Sequence, residues 1–149
     1  MTHDYPDPDA LASALGLKHL AEQKFGINTR IVYSGIIGRS ENREMTSSLK
    51  IPVYKFRPGL LKQYRNVALV DTQPTFKNNS FRGNRRATIV IDQHPAENPP
   101  LADLAIVDPE CGATCVILGR ALLLAGLPLP VNVATAIAYG ILSDTLDLY

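Results

Sequence analysis

The spacing of apolar side chains changes along this chain and predicts helices that alternate with strands. Between Ala10 and Phe25 apolar residues recur at intervals of four and three, which places them on one helix face, and Gly26 offers a stop. Two nearly continuous apolar runs, at 66–71 and 87–92, each end in an aspartate. Such runs are typical of strands that are buried on both faces of a parallel sheet.

Weaker patterns complete the alternation of helices and strands. Asp9 directly precedes the first apolar helix, so we expect its carboxylate to cap that helix. The whole pattern predicts an α/β domain with a mainly parallel sheet and helices on both faces. The further predicted elements are strands at 29–37 and 101–107 and helices at 40–50, 58–64, 112–126 and 131–146.

Composition narrows the class of protein. A length of 149 residues fits one domain, and 46% apolar with 19% charged residues fits a globular one. The net charge of +1 gives no global attraction to anions, so an anionic partner needs local clusters or a metal ion. The sequence shows no signal peptide and no membrane-spanning apolar run, and we expect a cytoplasmic protein. Cys111 and Cys115 are too few for a disulfide framework, and we expect small core residues.

Aspartate and histidine side chains collect where the predicted parallel strands end. Asp71 and Asp92 follow the two buried strands, and ligands bind beyond the carboxyl ends of such strands. His3 and Asp7 lie just before the first helix, in a segment that Pro8 stiffens. Carboxylates with imidazole and no thiolate suit Mn²⁺ or Mg²⁺, and the imidazole favours Mn²⁺. Taken singly, each aspartate is also typical of a turn or a helix cap.

Four segments of the chain, in this order, resemble the four motifs of the DHH phosphoesterase family. They are His3-x-x-x-Asp7-x-Asp9, Val70-Asp71-Thr72, Asp92-Gln93-His94-Pro95 and Ser143-Asp144-Thr145. The segments 36–42 and 112–114 also resemble family sequence, so the likeness covers essentially the whole chain. The family includes RecJ-like exonucleases, nano-RNases, family II pyrophosphatases and exopolyphosphatase-related proteins.

The resemblance implies a site with two metal ions. His3 and Asp7 would hold one ion. Asp9 and Asp144 would hold the other, and Asp71 would bridge the two. The implied chemistry is hydrolysis in which paired metal ions generate hydroxide and stabilise the charge that develops on phosphorus.

The third motif carries both a match and a departure. By resemblance, His94 would face the substrate phosphate and Asp92 would support it. The middle residue of this motif is a histidine in the family, where it ligates the second ion, but this chain has Gln93. Because a neutral amide oxygen is a poorer ligand than imidazole, we expect a weakened second metal site.

Two further departures concern the ends of the family domain. In the family an apolar strand precedes the first motif, and a smaller second domain follows the fourth. We expect residues 1–149 to form one DHH-type domain without that first strand and without the second domain. An open strand position would expose pairing edges to strands of another chain.

The substrate side is predicted from a basic loop and from family positions. Residues 73–86 carry four basic side chains and no acidic one, which suits a polyanion, although a solvated loop fits the pattern equally. The residues after the strand at 29–37 lie near the expected mouth of the site, where a surface role also fits. The substrate-binding candidates are Asn78, Asn79 and Arg82 in the loop, with Arg39 and Asn42 after that strand.

Two classes of function stay open at this point. The first is a Mn²⁺-dependent phosphoesterase that acts on a small nucleotide or a short single-stranded oligonucleotide, with pyrophosphate or polyphosphate as a further substrate class. The second is a binding or sensor module that keeps one metal ion and a phosphate-bearing ligand without turnover. Gln93 favours this second class. A homodimer is compatible with either.

Overall fold

A computed structural model of the chain describes residues 1–81, 85–96 and 98–146. Within these ranges the predicted alternation is confirmed, and β2 is a strand that the sequence pattern does not predict. The helices are α1 (Pro8–Phe25), α2 (Ser40–Ser48), α3 (Thr114–Leu124) and α4 (Val131–Asp144), with a short 3₁₀ helix at Leu60–Gln63. The strands are β1 (Ile31–Tyr33), β2 (Val53–Lys55), β3 (Ala68–Val70), β4 (Ala87–Asp92) and β5 (Ala102–Val107).

The strands pair in parallel, as predicted, and a short segment joins two sheets. β2 pairs with β1, and β4 lies between β3 and β5. Residues 1–4 lie between β1 and β3. The Thr2 N–H donates to the Val32 carbonyl at 3.1 Å, and the Val70 N–H donates to the Met1 carbonyl at 3.1 Å. This segment therefore carries the first motif to the edge at which β1 and β3 end.

A cavity of about 400 Å³ lies beside this segment, between β1 and β3. Its lining is mainly apolar and includes Leu17 and Ala21 of α1 and Leu61 of the 3₁₀ helix. That the domain lacks the family's first strand stays a prediction.

Two apolar cores cover the two faces of the central sheet. Because successive side chains of a strand point to opposite faces, β3 and β4 supply both cores. Val70 and Ile91 belong to the first core, to which all four α-helices contribute. Leu69 and Val90 belong to the second core, which the 3₁₀ helix and loop residues such as Phe81 cover. The four α-helices therefore pack on one side, and the predicted cover by helices on both faces is met on the other side only by the short 3₁₀ helix.

The structure also describes the two cysteines and the apolar character of the helices. Cys111 and Cys115 are both buried, which confirms that they are core residues. Among the described helices, none combines the length and the apolar character that crossing a membrane requires.

The start of α1 differs from the prediction. The N-cap is Asp7, whose Oδ1 accepts a hydrogen bond from the Ala10 N–H at 3.0 Å. The prediction that Asp9 is the cap is wrong, because the fixed φ of Pro8 suits the first helical position and the helix begins there. Asp9 lies inside the first turn, and its carboxylate bonds to α3 instead. Gly26 ends the helix in the left-handed conformation with φ 66°, as predicted.

Candidate metal centre

Three side chains from two predicted motifs converge beyond the carboxyl ends of the strands. His3 Nε2 lies 3.3 Å from Asp71 Oδ2 and 3.8 Å from Asp7 Oδ1. The ligand atoms of the three residues all lie within 4.8 Å of one another. His3 lies in the segment between β1 and β3. Asp7 is the N-cap of α1, and Asp71 is the residue that follows β3. One imidazole nitrogen and two carboxylates are a donor set that Mn²⁺ or Mg²⁺ accepts.

The hydrogen bond of His3 Nδ1 determines that Nε2 is the nitrogen that faces the carboxylates as a ligand. Nδ1 lies 2.7 Å from the backbone carbonyl oxygen of Asp4. Because that oxygen can only accept, Nδ1 carries a proton and the lone pair of the neutral ring is on Nε2. A metal-ligating histidine almost always donates its other N–H to a carbonyl or a carboxylate in this way. The ring is therefore oriented to ligate a cation between Asp7 and Asp71.

The electrostatics of the cluster favour a cation. Burial raises the pKa of Asp71, whose side chain is 3% exposed. Burial would lower the pKa of His3, but its hydrogen bonds to Asp7 and Asp71 outweigh this and raise it to about 10. Burial would raise the pKa of Asp7, but the hydrogen bonds from His3 and the Ala10 N–H, together with the charge of His3, outweigh it and the net shift is downward. The imidazolium thus offsets the two carboxylates, as a bound divalent cation also would.

Asp71 is held in place by its backbone and by a neighbouring helix. Its φ of 57° is left-handed, a region that residues other than glycine seldom use. Its N–H donates to the Ile91 carbonyl at 3.0 Å, and its Oδ1 accepts a hydrogen bond from Thr114 Oγ1 at 2.9 Å. Such strain persists where the surrounding structure fixes the residue, often at functional sites.

A second group of side chains adjoins Asp71 on the β4 side. His94 Nδ1 lies 2.9 Å from Asp92 Oδ1 and 3.6 Å from Asp71 Oδ1. Asp92 is fully buried, whereas the His94 side chain is 50% exposed. The hydrogen bond to Asp92 raises the pKa of His94 to about 9, so its ring is cationic near neutral pH. A half-exposed imidazolium at the mouth of the cluster suits contact with a phosphate.

The Gln73 side chain holds this second group in place through two hydrogen bonds. Its Nε2 donates to Asp92 Oδ2 at 2.9 Å and to the His94 carbonyl at 2.8 Å. The side chain is fully buried. The sequence pattern predicts no role for Gln73 or for Thr114. Gln73 could have been noticed because it lies two residues after Asp71, the aspartate that follows β3. Thr114 could have been noticed because it lies in a segment, 112–114, that resembles family sequence.

Asp9, Gln93 and Asp144, predicted to form the second metal site, bond to protein groups. Gln93 Nε2 donates to Asp144 Oδ2 at 2.6 Å. The two Asp9 oxygens accept the N–H groups of Thr114 and Cys115, each at 2.7 Å. Burial, together with the charge of Asp71, raises the pKa of Asp9 to about 7. Within the described ranges, neither Asp9 nor Asp144 joins a compact group of three or more histidine, cysteine, aspartate or glutamate ligands.

The predicted substrate-binding residues fall mostly into structural contacts. Asn79 Nδ2 donates to Thr72 Oγ1 and to the Gln73 carbonyl, both at 2.9 Å, so it fixes the loop after β3. Asn78 Oδ1 accepts from the Thr72 hydroxyl at 2.7 Å in the same loop. Asn42 is buried and donates to the Pro6 carbonyl at 3.3 Å.

The remaining two candidates differ from the asparagines. Arg39 is exposed at the start of α2. Arg82 lies outside the described residues. Substrate contact by any of the five stays a prediction, and the described contacts of the three asparagines are with the protein itself.

The family assignment can be tested by comparison with known sequences. The profile of the DHH family, N-terminal domain, matches residues 1–141. The chain belongs to the DHH family. An uncharacterized protein of Methanocaldococcus jannaschii is 40% identical over 146 residues, which are 97% of this chain. This DHH domain spans 30% of the length of that curated relative.

Solved structures share the fold of this DHH domain. An exopolyphosphatase-related protein from Bacteroides fragilis matches 99% of the chain with a TM-score of 0.68 and 18% identity. A putative family II inorganic pyrophosphatase of Methanococcus jannaschii matches 99% with a TM-score of 0.68 and 20% identity. This domain covers 45% and 48% of those chains, respectively. The α/β fold with parallel strands that the sequence predicts is therefore confirmed.

Proposed function

We propose that this DHH domain carries out metal-dependent hydrolysis of a phosphoester. The observation that carries the proposal is the arrangement of His3 Nε2 with Asp7 and Asp71, together with the hydrogen bond that directs Nε2 toward them. Membership of the DHH family supports the reaction class. The two structural neighbours, by their names, are related to exopolyphosphatases and pyrophosphatases, which also act on phosphate.

The roles of the residues follow from their positions. A divalent cation held by His3, Asp7 and Asp71 would supply Lewis acidity to a water molecule and to a phosphoryl oxygen. His94 uses Nδ1 to bond Asp92, which leaves Nε2 on the opposite edge of a half-exposed ring. That edge is suited to donate a hydrogen bond to a phosphate oxygen. Asp92 keeps the ring oriented and charged.

The substrate class we propose is a small nucleotide or a short single-stranded oligonucleotide, with Mn²⁺ as the preferred ion. The imidazole of His3 is the reason for preferring Mn²⁺ to Mg²⁺. Pyrophosphate and polyphosphate are the next candidates, by analogy with the names of the structural neighbours. Residues outside this domain in longer relatives would contribute to the choice of substrate, since the domain spans under half of those chains.

A second candidate function is binding of a phosphate-bearing ligand without turnover. The hydrogen bond between Gln93 and Asp144 favours it, because that bond engages two groups predicted to hold the second ion. In this second function, one metal ion and His94 would bind the ligand, and the domain would act as a sensor.

A hydrolysis assay distinguishes the two. The purified chain would be tested with Mn²⁺ against p-nitrophenyl phosphate, bis-p-nitrophenyl phosphate, a dinucleotide and pyrophosphate, beside Asp71→Asn and the control Asp103→Asn. Asp103 is exposed and pairs with Arg86 away from the site. We expect Mn²⁺-dependent turnover that Asp71→Asn abolishes and Asp103→Asn retains. Binding of a dinucleotide without turnover would favour the sensor, and the absence of both would contradict the two functions.

A further inference from the structure

We infer that this centre holds a single divalent ion, at His3, Asp7 and Asp71, and that Gln93 closes the second metal position by bonding Asp144. The inference rests on the proposed metal-dependent function. It differs from the two-metal arrangement that the family resemblance implies, because the residues at the second position do not fit a cation.

The Gln93 amide presents its donor edge to Asp144. Asp144 is a carboxylate, and its Oδ2 lies 2.6 Å from the Gln93 side-chain nitrogen. An amide oxygen at that place would face another acceptor and be repelled, so the donor must face the carboxylate. The donor edge of the amide carries positive polarity and repels a cation. Ligation by the Gln93 oxygen would require the amide to turn and give up this hydrogen bond.

Asp9 is also bonded to protein groups. Its two oxygens accept the Thr114 and Cys115 N–H groups at the start of α3, and Ser13 Oγ also donates to Oδ1 at 3.3 Å. The positive end of the α3 dipole therefore offsets the Asp9 charge. Asp9 is 1% exposed, so a cation would have to displace buried hydrogen bonds to reach it.

The carboxylate that would bridge two ions directs only one of its oxygens at the first metal position. Asp71 Oδ2 faces His3 at 3.3 Å, on the side of the first metal position. Asp71 Oδ1 instead accepts a hydrogen bond from the Thr114 hydroxyl at 2.9 Å and faces His94 at 3.6 Å. One oxygen is therefore directed at the first position, and the other is engaged by protein groups. The ligand atoms of Asp71, Asp92 and His94 also lie within 4.8 Å of one another. The two Asp92 oxygens, however, are bonded to His94 Nδ1 and Gln73 Nε2, both at 2.9 Å, so an Asp71 held in this way serves one ion.

Metal stoichiometry tests the inference directly. Mn²⁺ would be titrated into the metal-stripped chain by calorimetry, with native mass spectrometry and the electron paramagnetic resonance spectrum as independent counts of bound ions. We expect one ion per chain and the spectrum of an isolated Mn²⁺. Two ions, or a spin-coupled spectrum, would overturn the inference and leave the proposed function in place. No bound ion would remove the metal basis of the proposed function itself.

Two asparagine variants locate the ion. Asp7→Asn keeps a good helix N-cap but removes a ligand charge, so we expect Mn²⁺ binding at least about tenfold weaker with the fold retained. Asp144→Asn is the matched variant at the other position, and we expect an unchanged ion count and affinity within about threefold. The opposite ranking of the two variants would overturn the assignment. Circular dichroism and thermal melting verify that both variants fold.

A gain-of-site variant tests the role of Gln93. Gln93→His replaces an amide that donates to Asp144 with an imidazole that can ligate. We expect the introduced imidazole and the released Asp144 carboxylate to bind a second Mn²⁺, and the spectrum to show coupling between the two ions. A Gln93→His chain that still binds one ion would show that Gln93 is not what closes the second position. This readout does not depend on catalytic activity.

Discussion

The hydroxyl of Thr114 donates a 2.9 Å hydrogen bond to Asp71, which ties the first residue of α3 to the end of β3. The backbone N–H of the same threonine donates to Asp9 at 2.7 Å. The start of α3 is therefore bonded to two carboxylates of different motifs. Any change in where α3 begins would move Asp71 relative to His3, and with it the candidate metal position.

This arrangement predicts a stability role for Asp9. Asp9→Asn would place one amide N–H₂ against a buried backbone N–H at the start of α3, where both oxygens now accept. We expect the free energy of unfolding to fall by about 2–3 kcal/mol. Urea unfolding followed by circular dichroism measures it.

The matched control for Asp9 is an aspartate without a buried partner. Asp103→Asn removes an exposed ion pair with Arg86 and should change the free energy of unfolding by less than about 0.5 kcal/mol. Equal effects of Asp9→Asn and Asp103→Asn would show that the bonds of Asp9 to α3 do not stabilise the fold.

Metal affinity should rise with pH. The hydrogen bonds of His3 to Asp7 and Asp71 outweigh burial and raise the pKa of His3 to about 10, so metal binding near neutral pH must displace its proton. With one proton released per ion, Mn²⁺ binding should tighten about tenfold per pH unit between roughly pH 6 and 8. Calorimetry in buffers of different ionisation enthalpy counts the released proton. An affinity that does not change with pH would exclude His3 as a ligand.

In the metal-stripped chain, the titration of Asp9 and His3 should act in the opposite sense. The folded pKa values of Asp9, about 7, and His3, about 10, lie above the ordinary values of 3.8 and 6.5 for these side chains. A raised folded pKa means that the folded state binds protons more tightly, so stability is lost as pH rises through each window. Burial lowers the pKa of the Met1 amino group to about 5, which acts in the opposite direction below about pH 8. The expected result is therefore a difference between chains: from pH 6 to pH 9 the melting temperature with chelator falls less, or rises more, in His3→Gln than in the parent chain. An equal change in both chains would assign the effect to other groups.

The strand ends could be predicted from the sequence, because buried parallel strands leave long apolar runs that stop at Asp71 and Asp92. The motif spacing placed His3 and Asp7 at the same edge. The role of Asp9 could not be predicted, since its partners lie 105 and 106 residues away and α3 reaches it only through tertiary packing. β2 was also missed, because three residues that pair with β1 carry too short a pattern.

Gln73 and the loop asparagines show a second limit of sequence reasoning. From the sequence alone, a polar residue near a strand end is a candidate ligand whether its side chain faces a substrate or a neighbouring loop. Asn79 bonds Thr72 and the Gln73 carbonyl, so its side chain organises the chain after β3. The direction of the side chain decides between these two roles. That direction depends on the backbone geometry, which cannot be derived from the amino-acid composition.

His94 should contribute to turnover without contributing to metal binding. His94→Gln removes the imidazolium that Asp92 orients, and a positioned acid or donor contributes about 10²- to 10⁴-fold to rate. We expect that loss in Mn²⁺-dependent hydrolysis with the Mn²⁺ affinity unchanged. His19→Gln is the control, because His19 bonds the Pro128 carbonyl far from the site. A parallel loss of Mn²⁺ affinity would make His94 a metal ligand instead.

The packing of α1 against α4 depends on a glycine that faces the first motif. A Cβ at Gly140 would lie 2.6 Å from Cys115 Sγ and 3.2 Å from the Pro8 carbonyl, so Gly140→Ala must push the helices apart. We expect a loss of about 1–3 kcal/mol in urea unfolding. Gly119→Ala is matched, since its Cβ would meet only Ile137 at 3.4 Å and alanine favours the helix by up to about 1 kcal/mol. Two losses of similar size would mean that helix propensity and close approach do not explain the difference between these glycines.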